Sequence, residues 1–391
     1  MKNNQQKNNG RRKFLQTGIT LGAMLPLVGK SFEVSANPIQ VGKVENAPPP
    51  LKILILGGTN FIGPQQIAYA LKRGHSISTF TRGKRQPSVQ KDIFTDVEQL
   101  IGDRENNLDA LLGRKWDVVI DNSGNNLQWV KNSVQFLKDN AGIYMYTSST
   151  GVYYPYLGKD IVESTKPVLR VPDSITKVQL GEYEYGVMKA NSEIEVLNGF
   201  GKDRSIIIRP TYMVGPGDFS DRFTYWPERL ARGGEVMVPG KANDPVQYID
   251  VRDVANWMIR LAEEKKAGIY NAVGPASATG MHAFIYGVHA AFSSTVNFVM
   301  IQDYDFLTKQ HVLDAIPWIM PVGDNAGSAL VSNKFAIANG LTYTPLAESV
   351  KDIHEWWNSD AVTAAQRTKL ISGAGPLMSN EQKIIADWKA K

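Results

Sequence analysis

Leu51–Arg82 reads LKILILGGTNFIGPQQIAYALKRGHSISTFTR, and its pattern decides the fold. Lys52–Leu56 is an apolar run rich in Ile and Leu and too short for a helix. Gly57, Gly58, Thr59 and Asn60 break it. From Phe61 to Leu71 the apolar residues Phe61, Ile62, Ile67, Ala70 and Leu71 recur at helical spacing. Arg73-Gly74-His75 ends that helix, and Ser76–Phe80 reads as a second strand. Strand, glycine turn, helix and strand make a βαβ unit. The turn sits at a helix N-terminus, where free backbone N–H groups and the helix dipole favour an anion such as a dinucleotide pyrophosphate.

The turn has the spacing Gly57-x-x-Asn60-x-x-Gly63, with Gly58 as an extra glycine. Gly57 permits a tight turn, and Gly63 lets the helix pack close to the sheet. The middle position, usually glycine, is Asn60. Asparagine tolerates left-handed backbone angles better than most residues with a Cβ, so Asn60 is expected to carry that conformation. Gly57, Thr59, Asn60, Phe61, Ile62 and Gly63 are the candidate cofactor-binding residues of this turn. A glycine turn without a ligand is the alternative, which the motifs downstream argue against.

The chain has 391 residues, 43% of them apolar, enough to bury a full core. It has no cysteine, which excludes disulfides, thiolate metal sites and cysteine nucleophiles. His75, His282, His289, His311 and His354 form no metal-ligand spacing, so no metal is expected. At the N-terminus, Gly10-Arg11-Arg12-Lys13-Phe14-Leu15-Gln16 resembles a bacterial twin-arginine export signal. The mild apolar stretch Thr17–Val28 follows, and Val34-Ser35-Ala36 fits a cleavage site. That stretch is too short and too polar to span a bilayer, so no stable membrane anchor is expected. Residues 1–36 are therefore read as a signal that directs the protein to the periplasm, with a basic tail as the alternative. Residues 37–50 end in Pro48-Pro49-Pro50 and read as a linker. Residues 1–36 hold six basic and one acidic residue, and the rest of the chain holds 37 of each. The net charge of +5 thus belongs to the signal. The remainder gives no electrostatic reason to expect nucleic acid or an anionic membrane as partner.

Beyond the first unit, Val97–Arg104 reads as a short strand ending in an acid, and Trp116–Ile120 as a buried strand before Asp121-Asn122-Ser123-Gly124. Trp129–Leu137 is helical, Ile143–Thr147 a strand, Glu182–Leu197 a helix and Ser205–Ile208 a strand. Such alternation predicts an α/β fold with a Rossmann-type, doubly wound parallel sheet. Val246–Ile249 reads as a later strand, Val251–Glu263 as a helix and Gly268–Val273 as a strand. Residues 51–275 are assigned to a dinucleotide-binding domain, with 218–245 contributing to a smaller mixed substrate lobe. Residues 276–391 form the rest of that lobe and a terminal helix, opened by the capping-box spacing Ser379-Asn380-Glu381-Gln382.

Tyr185-Gly186-Val187-Met188-Lys189 places Tyr185 and Lys189 four apart on a helix, hence on one face. A neighbouring ammonium favours the phenolate, so Lys189 is expected to lower the Tyr185 pKa and make the phenol a general acid or base. Together GGTNFIG, YTSSTGVY, YGVMK, RPTYMVGPGD and VQYIDVRDVA resemble, in order, the motifs of the extended short-chain dehydrogenase/reductase superfamily, also called the NAD-dependent epimerase/dehydratase family. The resemblance covers residues 51–275. In detail it is similar to an isoflavone-reductase-like branch and to relatives of a chloroplast RNA-binding protein. It implies that Ser149, four residues before Tyr153, donates to a substrate oxygen, that Tyr185 exchanges the proton, and that Lys189 holds the nicotinamide ribose and tunes Tyr185. It implies also that Asp103 contacts the adenine and that Asn122 and Gly124 line the nicotinamide side. Arg82 follows the second strand, where an acid would accept from a ribose 2′-hydroxyl, and an arginine there suits a 2′-phosphate. NADP is therefore the expected cofactor, with NAD as the alternative.

Two departures bear on the substrate. Where the resemblance implies an arginine on a substrate diphosphate, the chain has Val246-Gln247, and where it implies an asparagine it has Tyr212. A nucleotide diphosphate substrate is therefore not expected. Phe223-Thr224-Tyr225-Trp226 and Trp318 either stack on a ligand ring or fill the core of the small lobe, with core favoured for each residue alone. The expected activity is hydride transfer between NAD(P) and a carbinol or carbonyl carbon of a small molecule. An epimerase or dehydratase with transient oxidation by a tightly bound cofactor, with a sugar as its candidate substrate, is the alternative, and a non-catalytic nucleotide-binding protein is the second. Helices Trp129–Leu137 and Glu182–Leu197 are the candidate faces of a homodimer.

Overall fold

The computed structural model describes residues 48–391 except 88 and 373–375. The expected signal, its cleavage site and most of the linker lie outside the described residues. Seven parallel strands form the main sheet: Lys52–Leu56 (β1), Ser76–Thr81 (β2), Glu98–Ile101 (β3), Trp116–Asp121 (β4), Ala141–Thr147 (β5), Ser205–Pro210 (β6) and Gly268–Ala272 (β7). Their order is β7-β6-β5-β4-β1-β2-β3. Successive strands run outward one way from β1 to β3 and the other way from β4 to β7, so the order reverses between β1 and β4. In open α/β sheets, ligands bind outside the carboxyl ends of the strands at such a reversal.

The strands are apolar on both faces because helices cover both. Ile53, Ile55, Val118, Ile120, Ile143, Met145, Ile206 and Ile208 face one core, shared with helices Ile62–Lys72 (α1) and Val251–Glu263, which pack together. Leu54, Leu56, Val119, Tyr144, Tyr146 and Ile207 face the other, under Leu127–Leu137 (α2) and Lys177–Phe200 (α3). The strict alternation along β1 and β4 follows from the two-residue period of a strand. Helix α3 starts five residues earlier than its periodicity shows. Thr176 and Gln179 form a reciprocal capping box there.

A second core lies in the smaller lobe, built from 214–248 and 281–385. It surrounds the parallel pair Gly234–Pro239 and Val296–Ile301. Phe223, Tyr225, Trp226 and Trp318 are buried in it, with the Trp226 indole donating to the carbonyl of Ile316 (3.0 Å) and that of Trp318 to Asp244 (2.9 Å). They are core residues and do not face the cleft.

Two local expectations are corrected. Val246–Ile249 is not one strand. Pro245–Val246 pairs antiparallel with Thr279–Gly280, and Ile249–Asp250 pairs parallel with Met213–Val214. Between them the Gln247 side chain turns to the Val331 backbone (2.8 Å), which breaks the ladder. Likewise, Ser379 does not open the last helix, which spans Pro376–Lys389. Proline is pre-set for a first helical position, while Glu381 is buried and accepts from Arg229 and from the Met237 N–H (2.9 Å). Its carboxylate ties the terminal helix to the small lobe.

Candidate active site

The glycine turn leaves the C-terminal end of β1 and enters α1. Gly57 and Gly58 take φ of 101° and 105°, a region that penalises side chains. Gly57 N–H donates to the Phe80 carbonyl (3.0 Å), which fixes the turn to β2. The left-handed role expected of Asn60 falls instead to Phe61, at φ 40°. The Asn60 carbonyl accepts from the Gly63 N–H (3.0 Å), so the helix is already turning there. A Cβ on Gly63 would overlap the backbone of Gly58, and that close approach is what Gly63 permits. Helix α1 has neither a side-chain cap nor an acid in its first turn, so its amino end is electrostatically open to an anion.

A cleft of about 1200 Å³ begins at this turn. That exceeds the ~300–1,000 Å³ of ordinary small-molecule pockets, room for a dinucleotide and a substrate together. Gly57, Thr59, Asn60, Phe61, Ile62, Arg82, Asp103, Asn122, Ser149, Tyr185 and Lys189 all line it, while Gly63 lies behind the turn. At one end Arg82, Lys84 and Arg85 are exposed. Asp103 follows β3, and its carboxylate accepts from the Glu105 N–H (3.1 Å). Asn122 hydrogen-bonds Gln66 of α1 (2.6 Å) and the Thr147 hydroxyl (2.9 Å), which holds it at the mouth between β1 and β4. The open helix end, the two left-handed glycines and the basic rim fit a nicotinamide dinucleotide.

Ser149 follows β5, and its Oγ accepts from the Gly151 N–H (3.0 Å). Helix α3 presses on this loop through glycines. A Cβ on Gly151 would lie 3.1 Å from the Tyr185 ring, so Ser149 and Tyr185 share one wall. Tyr185 is 43% exposed, with its ring on the cleft. Lys189, one turn on, is buried and donates to the carbonyls of Thr147 (3.0 Å) and Gly124 (3.2 Å).

The expected lowering of the Tyr185 pKa by Lys189 does not occur. Desolvation in the cleft wall raises it, partly offset by the Ser149 hydroxyl and the Arg222 charge. Lys189 points its ammonium at two carbonyls and over the Tyr146 ring (5.0 Å to the centroid), leaving it 6.0 Å from the Tyr185 centroid. Burial pushes the Lys189 pKa down to about 8.

Sequence reasoning missed two buried ion pairs beneath this wall. Arg104 forms a fork with Asp121 (2.6 and 2.7 Å), and Tyr144 donates to the same carboxylate (2.7 Å). Arg209 forms a fork with Glu193 (2.9 and 2.6 Å), one turn beyond Lys189, and donates to the Tyr153 hydroxyl (2.7 Å). Their signal was present as single charges at the ends of apolar strands, Asp121 after WDVVI and Arg209 after SIII. Arg222, on the cleft wall, had only the signal of an arginine shortly after the Gly-Pro turn.

The model of the NAD dependent epimerase/dehydratase family matches residues 53–273, more than half of the chain. The chain belongs to the NAD-dependent epimerase/dehydratase family. Among curated proteins, this epimerase/dehydratase family member is 29% identical over 237 residues, 57% of its length, to the chloroplast stem-loop binding protein of 41 kDa b of Arabidopsis thaliana. The chain spans 58% of the length of that relative. Among solved structures, the Bordetella bronchiseptica enzyme WbmH in complex with NAD+ has a TM-score of 0.57 at 15% identity, covering 80% of this chain and 99% of that one. The UDP-glucuronic acid 4-epimerase from Bacillus cereus in complex with NAD has a TM-score of 0.54 at 16% identity, covering 78% and 98%. At such identity these structures establish the fold of the family member, a Rossmann-type sheet with a smaller lobe. Among the described residues no acidic or histidine cluster could hold a metal ion, and no helix is long and apolar enough to cross a membrane.

Proposed function

We propose that the enzyme acts on a carbinol or carbonyl carbon of a small molecule, with NADP preferred over NAD and no nucleic acid as partner. The observation that carries this is the convergence of Ser149, Tyr185 and Lys189 on one wall of the cleft that starts at the glycine turn. The turn from Gly57 to Ile62 would hold the pyrophosphate, Arg82 a ribose 2′-phosphate, Asp103 the adenine, and Lys189 the nicotinamide ribose. A bound nicotinamide supplies the hydride acceptor or donor. Ser149 orients the substrate oxygen with its hydroxyl. Tyr185, like an ordinary phenol, carries its proton at neutral pH and so meets a carbonyl oxygen as an acid.

The epimerase or dehydratase reading uses the same three residues and differs in whether the cofactor ends the cycle as it began. Export through a twin-arginine signal to the periplasm belongs to the same proposal and favours that reading, because no free nicotinamide pool is expected there. An isoflavone-reductase-like affiliation favours the reductase reading. A homodimer through the outer faces of α2 and α3 completes the proposal.

The test is Tyr185→Phe, assayed for cofactor binding and for nicotinamide turnover against a panel of alcohols and carbonyl compounds. Binding should persist while turnover falls by at least about two orders of magnitude, the scale of a positioned acid or base. Near-normal turnover would assign the proton to another group.

A further inference from the structure

Four buried or half-buried arginines of this protein are held by carboxylates. Arg104 pairs with Asp121, Arg209 with Glu193, Arg229 with Glu381, and Arg252 with Asp250. Arg222 is different. It lines the cleft at the end beyond Ser149 and Tyr185, is exposed to the solvent that fills it, and among the described residues forms no ion pair and no hydrogen bond. Its guanidinium lies 5.0 Å from the centroid of the Tyr212 ring. A stacked guanidinium keeps its planar fork free at the edges. Its charge is felt at Tyr185, Tyr212, Asp218 and Asp314, so it lies within electrostatic reach of the phenol assigned to proton transfer.

We infer that the cleft takes a small hydroxylated carboxylate, its single negative charge seated on Arg222 and its reacting carbon at Ser149 and Tyr185. This rests on the reading of that wall as the reacting end. The unpaired guanidinium calls for an anion, and the acids beside it make each further negative charge costlier, which favours a monoanion over a dianion. Beyond Tyr185, Arg222 is the one cationic side chain on the described cleft wall, and Glu182 and Asp218 are acids of the same wall. The Asp218 carboxylate is engaged by the Ser220 N–H (2.8 Å) and hydroxyl (2.9 Å) and forms no ion pair with Arg222. A phosphate dianion or diphosphate would meet one cation among two acids. A carboxylate brings one charge and two oxygens, which match the guanidinium fork. Thr211, Tyr212 and Ser328 add hydroxyl groups to that end, suited to a substrate with hydroxyls of its own.

The experiment is calorimetric titration of the NADP-loaded full chain with two matched series. One is D-glucuronate, D-glucose and D-glucose 6-phosphate. The other is glycerate, glycerol and glycerol phosphate. In at least one series the carboxylate should bind at least about tenfold more tightly than its neutral and phosphorylated counterparts, the scale of one charge-assisted contact. Arg222→Gln should abolish that preference and Arg222→Lys should keep part of it, both with unchanged NADP affinity. A carboxylate preference that survives in Arg222→Gln overturns the inference, as does a preference for the phosphates or none for the carboxylates. Failure of the wild-type chain to bind either NADP or NAD strikes instead at the proposed function, which separates the two.

Discussion

At Lys189 a single side chain shows how far a motif departs from its environment. Spacing places it one turn after Tyr185, but its ammonium turns away to two backbone carbonyls, and burial lowers its pKa from 10.5 to about 8. Below pH 8 both folded and unfolded chains hold this proton, and the cost of burying the charge is constant. Between pH 8 and 10.5 only the unfolded chain holds it, so raising the pH favours the folded state. The unfolding free energy of wild type relative to Lys189→Met should therefore rise across that window. Denaturant titrations at several pH values check it, and a flat or falling difference would refute it. Arg82 poses the second question at this scale. It follows β2 where an acid would accept from a ribose hydroxyl, and it is exposed on the cleft rim with Lys84 and Arg85. Arg82→Asp should move the ratio of NADP to NAD affinity towards NAD by at least about tenfold, as loss of one charge-assisted phosphate contact implies. Titration of both nucleotides into both proteins measures the ratio, and an unchanged value sinks the NADP assignment.

Whole elements were legible in the sequence where one signal dominated. Lys52–Leu56 and Val251–Glu263 appear in the structure residue for residue as read, the first a buried run stopped by glycines, the second an amphipathic helix capped by Asp250. Val246–Ile249 was misread because Gln247 turns to a backbone 84 residues away, which no local pattern encodes. Ser379-Asn380-Glu381-Gln382 was misread for a related reason. A capping-box spacing cannot reveal that Glu381 is needed by Arg229, 152 residues distant. The glycine turn shows the other limit. The identities of Gly57, Gly58 and Gly63 were readable, but which neighbour turns left-handed depends on how α1 seats, and Phe61 rather than Asn60 does so. That seating is testable. A Cβ at Gly63 meets the Gly58 backbone, whereas one at Gly181, near the start of α3, meets nothing within 4 Å. Gly63→Ala should cost about 1–3 kcal/mol, as overpacking does, and weaken nucleotide binding. Gly181→Ala should add about 0.5–1 kcal/mol by reducing the freedom of the unfolded helix. Urea midpoints compare the two, and equal shifts would mean that α1 is free to move away from the turn.

Across the whole molecule, the sequence showed the groups that converge on the cleft better than the groups beneath them. Tyr185 and Lys189 were singled out by helical spacing and Ser149 by the family resemblance, and the structure brings all three to the cleft. The pairs Arg104–Asp121 and Arg209–Glu193 tie distant strands and helices together, and only the folded chain brings their charges side by side. These pairs stiffen the base of a cleft whose walls come from the main sheet, α3 and the small lobe, which contributes Arg222 and Ile319. A ligand covered from both sides should leave slowly, and one that binds only the folded state stabilises it by mass action. This bears on the export proposal. A twin-arginine signal resembles one that carries folded proteins, so the nicotinamide would load before export and stay bound afterwards. The mature protein, isolated from the periplasm and gel-filtered without added nucleotide, should then retain an equimolar nicotinamide cofactor, detectable by mass spectrometry after denaturation. Added cofactor should then raise its thermal midpoint only by the gradual logarithmic increment of mass action, without the jump that filling an empty site gives. Retention would favour a redox-balanced reaction, an epimerisation or dehydration in which hydride leaves and returns, over a reductase fed by soluble NADPH. Isolation of apo-protein that regains activity only at millimolar added cofactor would defeat the prediction and return the reductase reading to first place.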